Sequence, residues 1–262
     1  MLVLMVLSFT STLQAQETKK TKEAKELIKV AAIDWCPQIC PKSTENPGYL
    51  VQLISDLFAK SGFTLKFEIM SWSDAINSVE AGHSDILLSP SKDEAPGLVY
   101  HRDPLAIQTH CFWKLADSDW KFKDITSLKN NSIVIYRDHS YGTLLREYLS
   151  DNYKKYVFEL MYDTSYLQRA HRLLQTGRAS AFLFTTNSVL HFKKTNNIST
   201  LKMGSCIKKD HLWVGMSPKN QQKINRIKAY IDANLLPYKD TTKHKILLRK
   251  YNILTPEIDQ IK

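Results

Sequence analysis

The order of segments in this 262-residue chain predicts an α/β protein of two lobes, each a mostly parallel sheet flanked by helices. Three observations carry that expectation. A strand–helix–strand–helix–strand pattern occurs twice, which is the signature of parallel sheets covered by helices. An extended segment stands between the two units and another follows the second, giving two crossings. With 43% hydrophobic and 24% charged residues, the chain can bury a core of the required size and is not a disordered tail.

The elements follow in order. Residues 2–9 form an apolar stretch with the length of a signal-peptide core, too short to span a bilayer. Residues 1–16 are therefore expected to be an export signal, and 17–26 a basic leader. Segment 27–35 (LIKVAAIDW) has the character of a buried strand. Segment 50–60 puts Leu50, Leu53, Ile54, Leu57 and Phe58 on one helical face, with Gly62 at the place of a C-cap. Residues 64–70 alternate as a strand, Ser73-Asp74 offer an N-cap to AINSVEAG, and 85–89 (DILLS) make a short buried strand. In the second unit, 132–136 (SIVIY), 156–161 and 181–185 read as strands, and 141–149 and 167–175 as helices. Segments 109–115 (THCFWKL) and 212–216 (LWVGM) are the crossings, and helices over 220–235 and 243–251 close the chain. Ligands of such sheets bind beyond the carboxyl ends of the strands. That directs attention to the loops after Trp35, Met70, Leu88, Tyr136, Met161 and Phe184.

The formal charge of +10 invites a nucleic-acid partner, but its distribution excludes one. Residues 31–110 carry five basic and ten acidic side chains, 111–218 sixteen and nine, and 219–262 ten and four. No basic run is interleaved with aromatics, as a nucleic-acid groove requires. The asymmetry is compatible with an anionic solute. Four cysteines suit an oxidising compartment. A bridge between Cys36 and Cys40 in WCPQICPK would close about a five-residue loop and stabilise by about 2 kcal/mol. Two thiols without a nearby histidine do not make a zinc site. Cys111 and Cys206 either pair with each other or stay as buried thiols, and their spacing does not decide. Three aromatics stand at strand ends or helix entries: Trp35, Tyr49 and Trp72. Each is placed to stack on an apolar or cationic part of a solute, against the alternative of packing in the core or rim. No nucleophile elbow, phosphate loop or zinc helix is present in the sequence, so no catalytic residue and no cofactor is expected.

From about residue 27 to 252 the sequence resembles the bacterial extracellular solute-binding proteins of family 3, the periplasmic receptors of amino-acid-type ABC transporters. The carriers are Trp35 and Pro37, Gly48-Tyr49 leading into LVQLISDLFAKSG, and Trp72 followed by AINSVEAGHSDILLSPS. Asp103-Pro104, SLKNNSIVIYRDHSYGTLLREYL, LLQTGRASAFLF and the closing ILLRKYN complete the set. The resemblance implies a periplasmic-binding-protein-like fold of type II with a two-strand hinge. Lobe one would be 27–110 with 207–262, and lobe two 111–206. Cys111 and Cys206 would lie near the two crossings, where a bridge would stiffen or orient the hinge.

The resemblance also implies a site. Members that bind α-amino acids hold the carboxylate with an arginine soon after the third strand, and the ammonium with an aspartate at the end of a second-lobe strand. Here Ser89 and Ser91 match the hydroxyl positions, but the arginine position falls on Glu94 or Ala95, and the aspartate position on Thr185. Arg102 and Arg137 are the nearest replacements, Arg137 with a surface pairing to Asp138 as its alternative. Asp138 and His139 stand where the family has a glycine and a threonine, and Ser140 keeps a hydroxyl. The implied function is capture of a small polar solute, not a standard α-amino acid, by lobe closure. Delivery would be to a membrane ABC permease or, as the alternative, to a sensory receptor, with the chain monomeric. A dehydratase on the same fold is disfavoured by Thr185 and Thr186 where it would carry an acid.

Overall fold

The computed structural model describes residues 25–137, 156–161, 163 and 165–253. The export signal, the leader up to residue 24, the helix expected over 141–149 and the site candidates His139 and Ser140 lie outside the described residues. The first unit contains β1 (Glu26–Ala32), α1 (Tyr49–Phe58), β2 (Phe63–Ile69), α2 (Trp72–Ala81), β3 (Ile86–Leu88) and β4 (Val99–Tyr100). The chain then enters β5 (Ala106–Leu115), a 3-10 turn (Ile125–Leu128), β6 (Ile133–Tyr136) and β7 (Val157–Leu160). α3 (Tyr166–Gln175), β8 (Ala181–Thr185), α4 (Thr186–Thr195) and β9 (Leu201–Leu212) follow. β10 (Val214–Met216), α5 (Gln221–Lys239) and α6 (Thr242–Tyr251) return to the first unit.

The strands form two sheets, β2-β1-β3-β10-β4 and β7-β6-β8-β5-β9. β1 runs parallel to β2 and β3, and β6 parallel to β7 and β8, while β10 and β5 enter antiparallel. Each sheet is buried on both faces, so its central strands are continuously apolar rather than alternating. Val30 and Ala32 join the main core, while Ala31 between them packs under α2 with Ala75, Val79, Leu87 and Leu98. In the second sheet Val134, Phe182 and Phe184 face the main core; Ile133, Ile135, Ala181 and Leu183 face Phe112, Phe122 and Leu128.

Local chemistry sets the element ends. α2 is capped by Ser71, not by Ser73 as expected: Ser71 Oγ accepts from Asp74 N at 3.2 Å. A capping side chain must precede the first turn to reach the third helical N–H, and Ser73 already lies inside that turn. Gly82, at φ 83°, ends the helix in the left-handed region. α4 and the polar first half of β9 escape the periodicity reading. β9 (LKMGSCIKKDHL) is an edge strand with most positions partly or fully exposed. Backbone pairing with β5, from Ala106 opposite Leu212 to Leu115 opposite Leu201, holds it in place.

β5 and β9 thus form an antiparallel ribbon leading from the first sheet into the second. Cys111 stands opposite Cys206 in its register and is bridged to it. The bridge lies between two register irregularities, His110/Cys111 and Cys111/Trp113. The second disulfide, Cys36–Cys40, closes the loop after β1. Gly48 lets that loop approach α1. At φ 105° it is in a region that other residues avoid, and a Cβ there would collide with the Gln38 carbonyl. Among the described residues no helix is long and apolar enough to cross a membrane.

Candidate functional site

Both sheets turn the carboxyl ends of their parallel strands toward one cavity of about 420 Å³. The first lobe lines it with Ile33, Asp34 and Trp35 after β1, with Ile69 to Ser73 after β2, and with Ser89 and Glu94 after β3. The second lobe contributes Tyr136 and Arg137 after β6, Met161 and Asp163 after β7, and Phe184 and Thr185 at the end of β8. Gln108 of β5 lines it from the crossing. A second cavity of about 360 Å³ shares Asp34, Asp163 and Phe184 with the first and reaches between the Cys36–Cys40 loop and α4.

The structure brings five of the expected residues to the cavity: Trp35, Trp72, Ser89, Arg137 and Thr185. Trp35 is buried and backbone-paired with Ile39, N–H to carbonyl at 2.8 Å in both directions, so one disulfide loop fixes its place. Trp72 opens α2 and is half-buried against the apolar cluster beneath that helix. Tyr136 meets Phe184 edge-on at 5.6 Å and Tyr166 at 5.8 Å, giving the second lobe an aromatic floor. Thr185 donates to Ser188 Oγ at 3.0 Å. Arg137 faces Glu159 at 3.8 Å and Met161 Sδ at 3.6 Å. Its expected surface partner, Asp138, lies outside the described residues.

Three expected residues stand elsewhere. Tyr49 is 1% exposed in the core, because it opens α1 on the same face as Leu50, Leu53 and Ile54. Burial raises its hydroxyl above the ordinary tyrosine range. Arg102 is on the surface, donating through Nε to Asp103 at 3.1 Å and through Nη2 to the Asp232 carbonyl at 3.2 Å. It ties the β4–β5 link to α5 and does not face the cavity. Ser91 acts one step behind the wall: its N–H and Oγ donate to Glu94 Oε2 at 3.0 and 2.9 Å.

Asp34, Gln108, Tyr136 and Asp163 were not singled out by the sequence, although each lies in a crossing or a strand-end loop. Asp34 pairs with exposed Lys42 at 3.7 Å. Asp163 is pushed up by partial burial, but hydrogen bonds from Ser165 and the Arg169 guanidinium outweigh this and hold it below the usual carboxylate range. Ser89 adopts φ 69°, in the left-handed region that a residue with a Cβ rarely enters. Its Oγ and Gln108 Oε1 are buried and have no hydrogen-bond partner among the described residues. The lobes also touch directly beside the cavity. The Gln38 amide, oriented with its nitrogen toward the carbonyls of Trp35 and Cys36, donates to Ser188 Oγ at 3.2 Å. Among the described residues no group of three or more histidine, cysteine or acidic side chains is placed to hold a metal.

No protein-family model and no curated protein matches the sequence. Solved structures match in fold over nearly the whole length of both chains. A histidine kinase sensor domain with similarity to periplasmic binding proteins shares 18% identity over 88% of this chain and 97% of its own, with a TM-score of 0.69. An ancestral arginine-binding protein bound to arginine shares 15% identity over 87% and 99%, with a TM-score of 0.66. A structure described with glutathione import through GshT and the cystine ABC importer TcyBC of Streptococcus mutans shares 16% over 87% and 95%, with a TM-score of 0.69. The two mixed sheets of this chain are thus arranged as in two-lobed periplasmic binding proteins.

Proposed function

We propose that this chain, whose fold is that of two-lobed periplasmic binding proteins, is an exported receptor. It captures a small polar solute between its lobes and presents it to a membrane partner. One observation carries the reading: a polar and aromatic cavity of about 420 Å³, within the size range of small-molecule sites, is lined by strand ends of both sheets. A solute held there touches both lobes at once. Its contacts with the second lobe exist only when the lobes are together, so binding favours the closed form. The aromatic walls suit the binding of a solute's apolar body. The two disulfides and the expected export signal support a place outside the cytoplasm.

An ABC permease is the partner the sequence resemblance favours. A signalling receptor is the second reading, supported by the similarity to a sensor domain. Lobes 27–110 with 207–262 and 111–206 would be the moving bodies. The test is calorimetry of the disulfide-intact chain against amino acids, short peptides, polyamines and organic acids, followed by X-ray scattering. Saturable binding with a fall in radius of gyration is expected. Trp35 and Trp72 line the cavity, so intrinsic fluorescence should change as it fills. Turnover of a bound compound, or no binding across all classes, would overturn the receptor reading.

A further inference from the structure

We propose that Gln38 and Ser188 form a latch that favours lobe closure independently of the solute, with Gln38 as its positioning residue. This inference rests on the lobe movement of the receptor reading and concerns how closure is weighted. Gln38 stands in the Cys36–Cys40 loop after β1, and Ser188 in the first turn of α4, which follows β8 of the other sheet. The Gln38 amide donates to Ser188 Oγ and to the carbonyls of Trp35 and Cys36, each at 3.2 Å. Gln38 is 1% exposed and Ser188 2%, so water does not compete for the contact while the lobes are together. Neither side chain lines the main cavity, so no part of the contact passes through a solute held there.

Both partners are fixed before they meet. The disulfide and the Trp35–Ile39 backbone pair shape the loop. The Pro37 carbonyl accepts from Tyr49 N at 2.9 Å and the Gln38 carbonyl from Leu50 N at 3.0 Å, which seats the loop on the start of α1. With its backbone held, Gln38 gives up little beyond side-chain freedom on meeting Ser188. On the other side, Ser188 Oγ also accepts from Thr185 Oγ1 at 3.0 Å, and Thr186 Oγ1 donates to the Thr109 carbonyl of β5 at 3.1 Å. One turn of chain thus reaches the cavity through Thr185, the crossing through Thr186 and the first lobe through Ser188. Hydrogen bonds run from the Trp35 carbonyl through Gln38 and Ser188 to the Thr185 hydroxyl, and both end residues line the cavity, one from each sheet. A contact made only in the closed form raises the closed fraction, and that fraction scales the apparent affinity for every solute alike.

The test is X-ray scattering of the disulfide-intact chain without added solute, resolved into open and closed forms. The parent is compared with Gln38→Ala, Ser188→Ala and the double variant. The parent should hold a closed fraction, and each single variant should move the closed-to-open ratio about 3- to 10-fold toward open, the effect of one net hydrogen bond. The double variant should go no further than the singles, because either change removes the same contact. Unfolding midpoints should stay within a few degrees of the parent. A residue that only stabilises its own lobe would lower the midpoint and leave the ratio unchanged. If Gln38→Ala does not fold, Ser188→Ala decides the same question. A parent with no closed fraction, single variants with the parent's ratio, or a double variant whose shift is the product of the two would each overturn the latch. Those outcomes leave the receptor reading standing, since titration with solutes decides that reading separately.

Discussion

Ser89, a residue of the cavity wall, combines a positive φ, burial and a hydroxyl without a hydrogen-bond partner among the described residues. Strain of this kind persists where the surroundings impose it, and glycine would relieve it. Ser89→Gly should therefore raise stability by roughly 0.5–1 kcal/mol in urea unfolding, while weakening solute binding in the same protein. A gain in both would show that the hydroxyl has no part in the cleft. His101 offers a second prediction. Its Nε2 accepts from Val214 N at 2.9 Å, and burial lowers its pKa to about 4, with Asp232 opposing. The native state thus binds fewer protons than the unfolded chain between pH 6.5 and 4. Stability from this residue is complete above the unfolded pKa and falls with acidification through that window, by at most about 1.4 kcal/mol per pH unit. His101→Gln retains an acceptor for Val214 N–H and should flatten the stability–pH profile over that range. His171, His191 and His244 are also lowered by burial, so the profile should flatten without becoming level.

Elements with strong apolar periodicity were legible in the sequence, and those placed by their neighbours were not. α1 and β8 could be read because burial selects their residues one by one. β4 and the first half of β9 could not, because their place depends on pairing to β10 and β5 across the chain. The site divides in the same way. Strand-end loops and the tryptophans within them follow from the order of elements, whereas Gln108 is one polar position in a crossing. Glu94 was legible only as a departure from a pattern, and its place in the cavity wall depends on the fold. At this scale the Cys36–Cys40 loop is the element to test. It fixes Trp35 by backbone pairing and carries Gln38 across to α4. Gly48→Ala should push this loop off α1, since the added Cβ meets the Gln38 carbonyl. A lower unfolding midpoint and loss of solute binding are expected; unchanged values would mean the loop can shift freely.

In the whole molecule, the ribbon of β5 and β9 joins two sheets that share one main core. The disulfide between Cys111 and Cys206 binds its two strands at one register position. Their separation of 95 residues makes the loop-closure effect on the unfolded chain large, about 4–5 kcal/mol in the chain-entropy model. The Cys111→Ser/Cys206→Ser double variant should lose roughly 2–5 kcal/mol in denaturant unfolding, more than removal of the five-residue Cys36–Cys40 loop. Equal losses would show that the ribbon's own pairing already restrains the unfolded state.

The same bridge makes nearly all of the second lobe a covalent ring. Residues 112–205 leave and return through one pair of sulfurs, so a protease that cuts the backbone once within them opens the ring without releasing a fragment. The nicked protein should migrate as one band under oxidising electrophoresis and as two after reduction. A chain closed in this way is damaged by one such cut and still remains a single molecule.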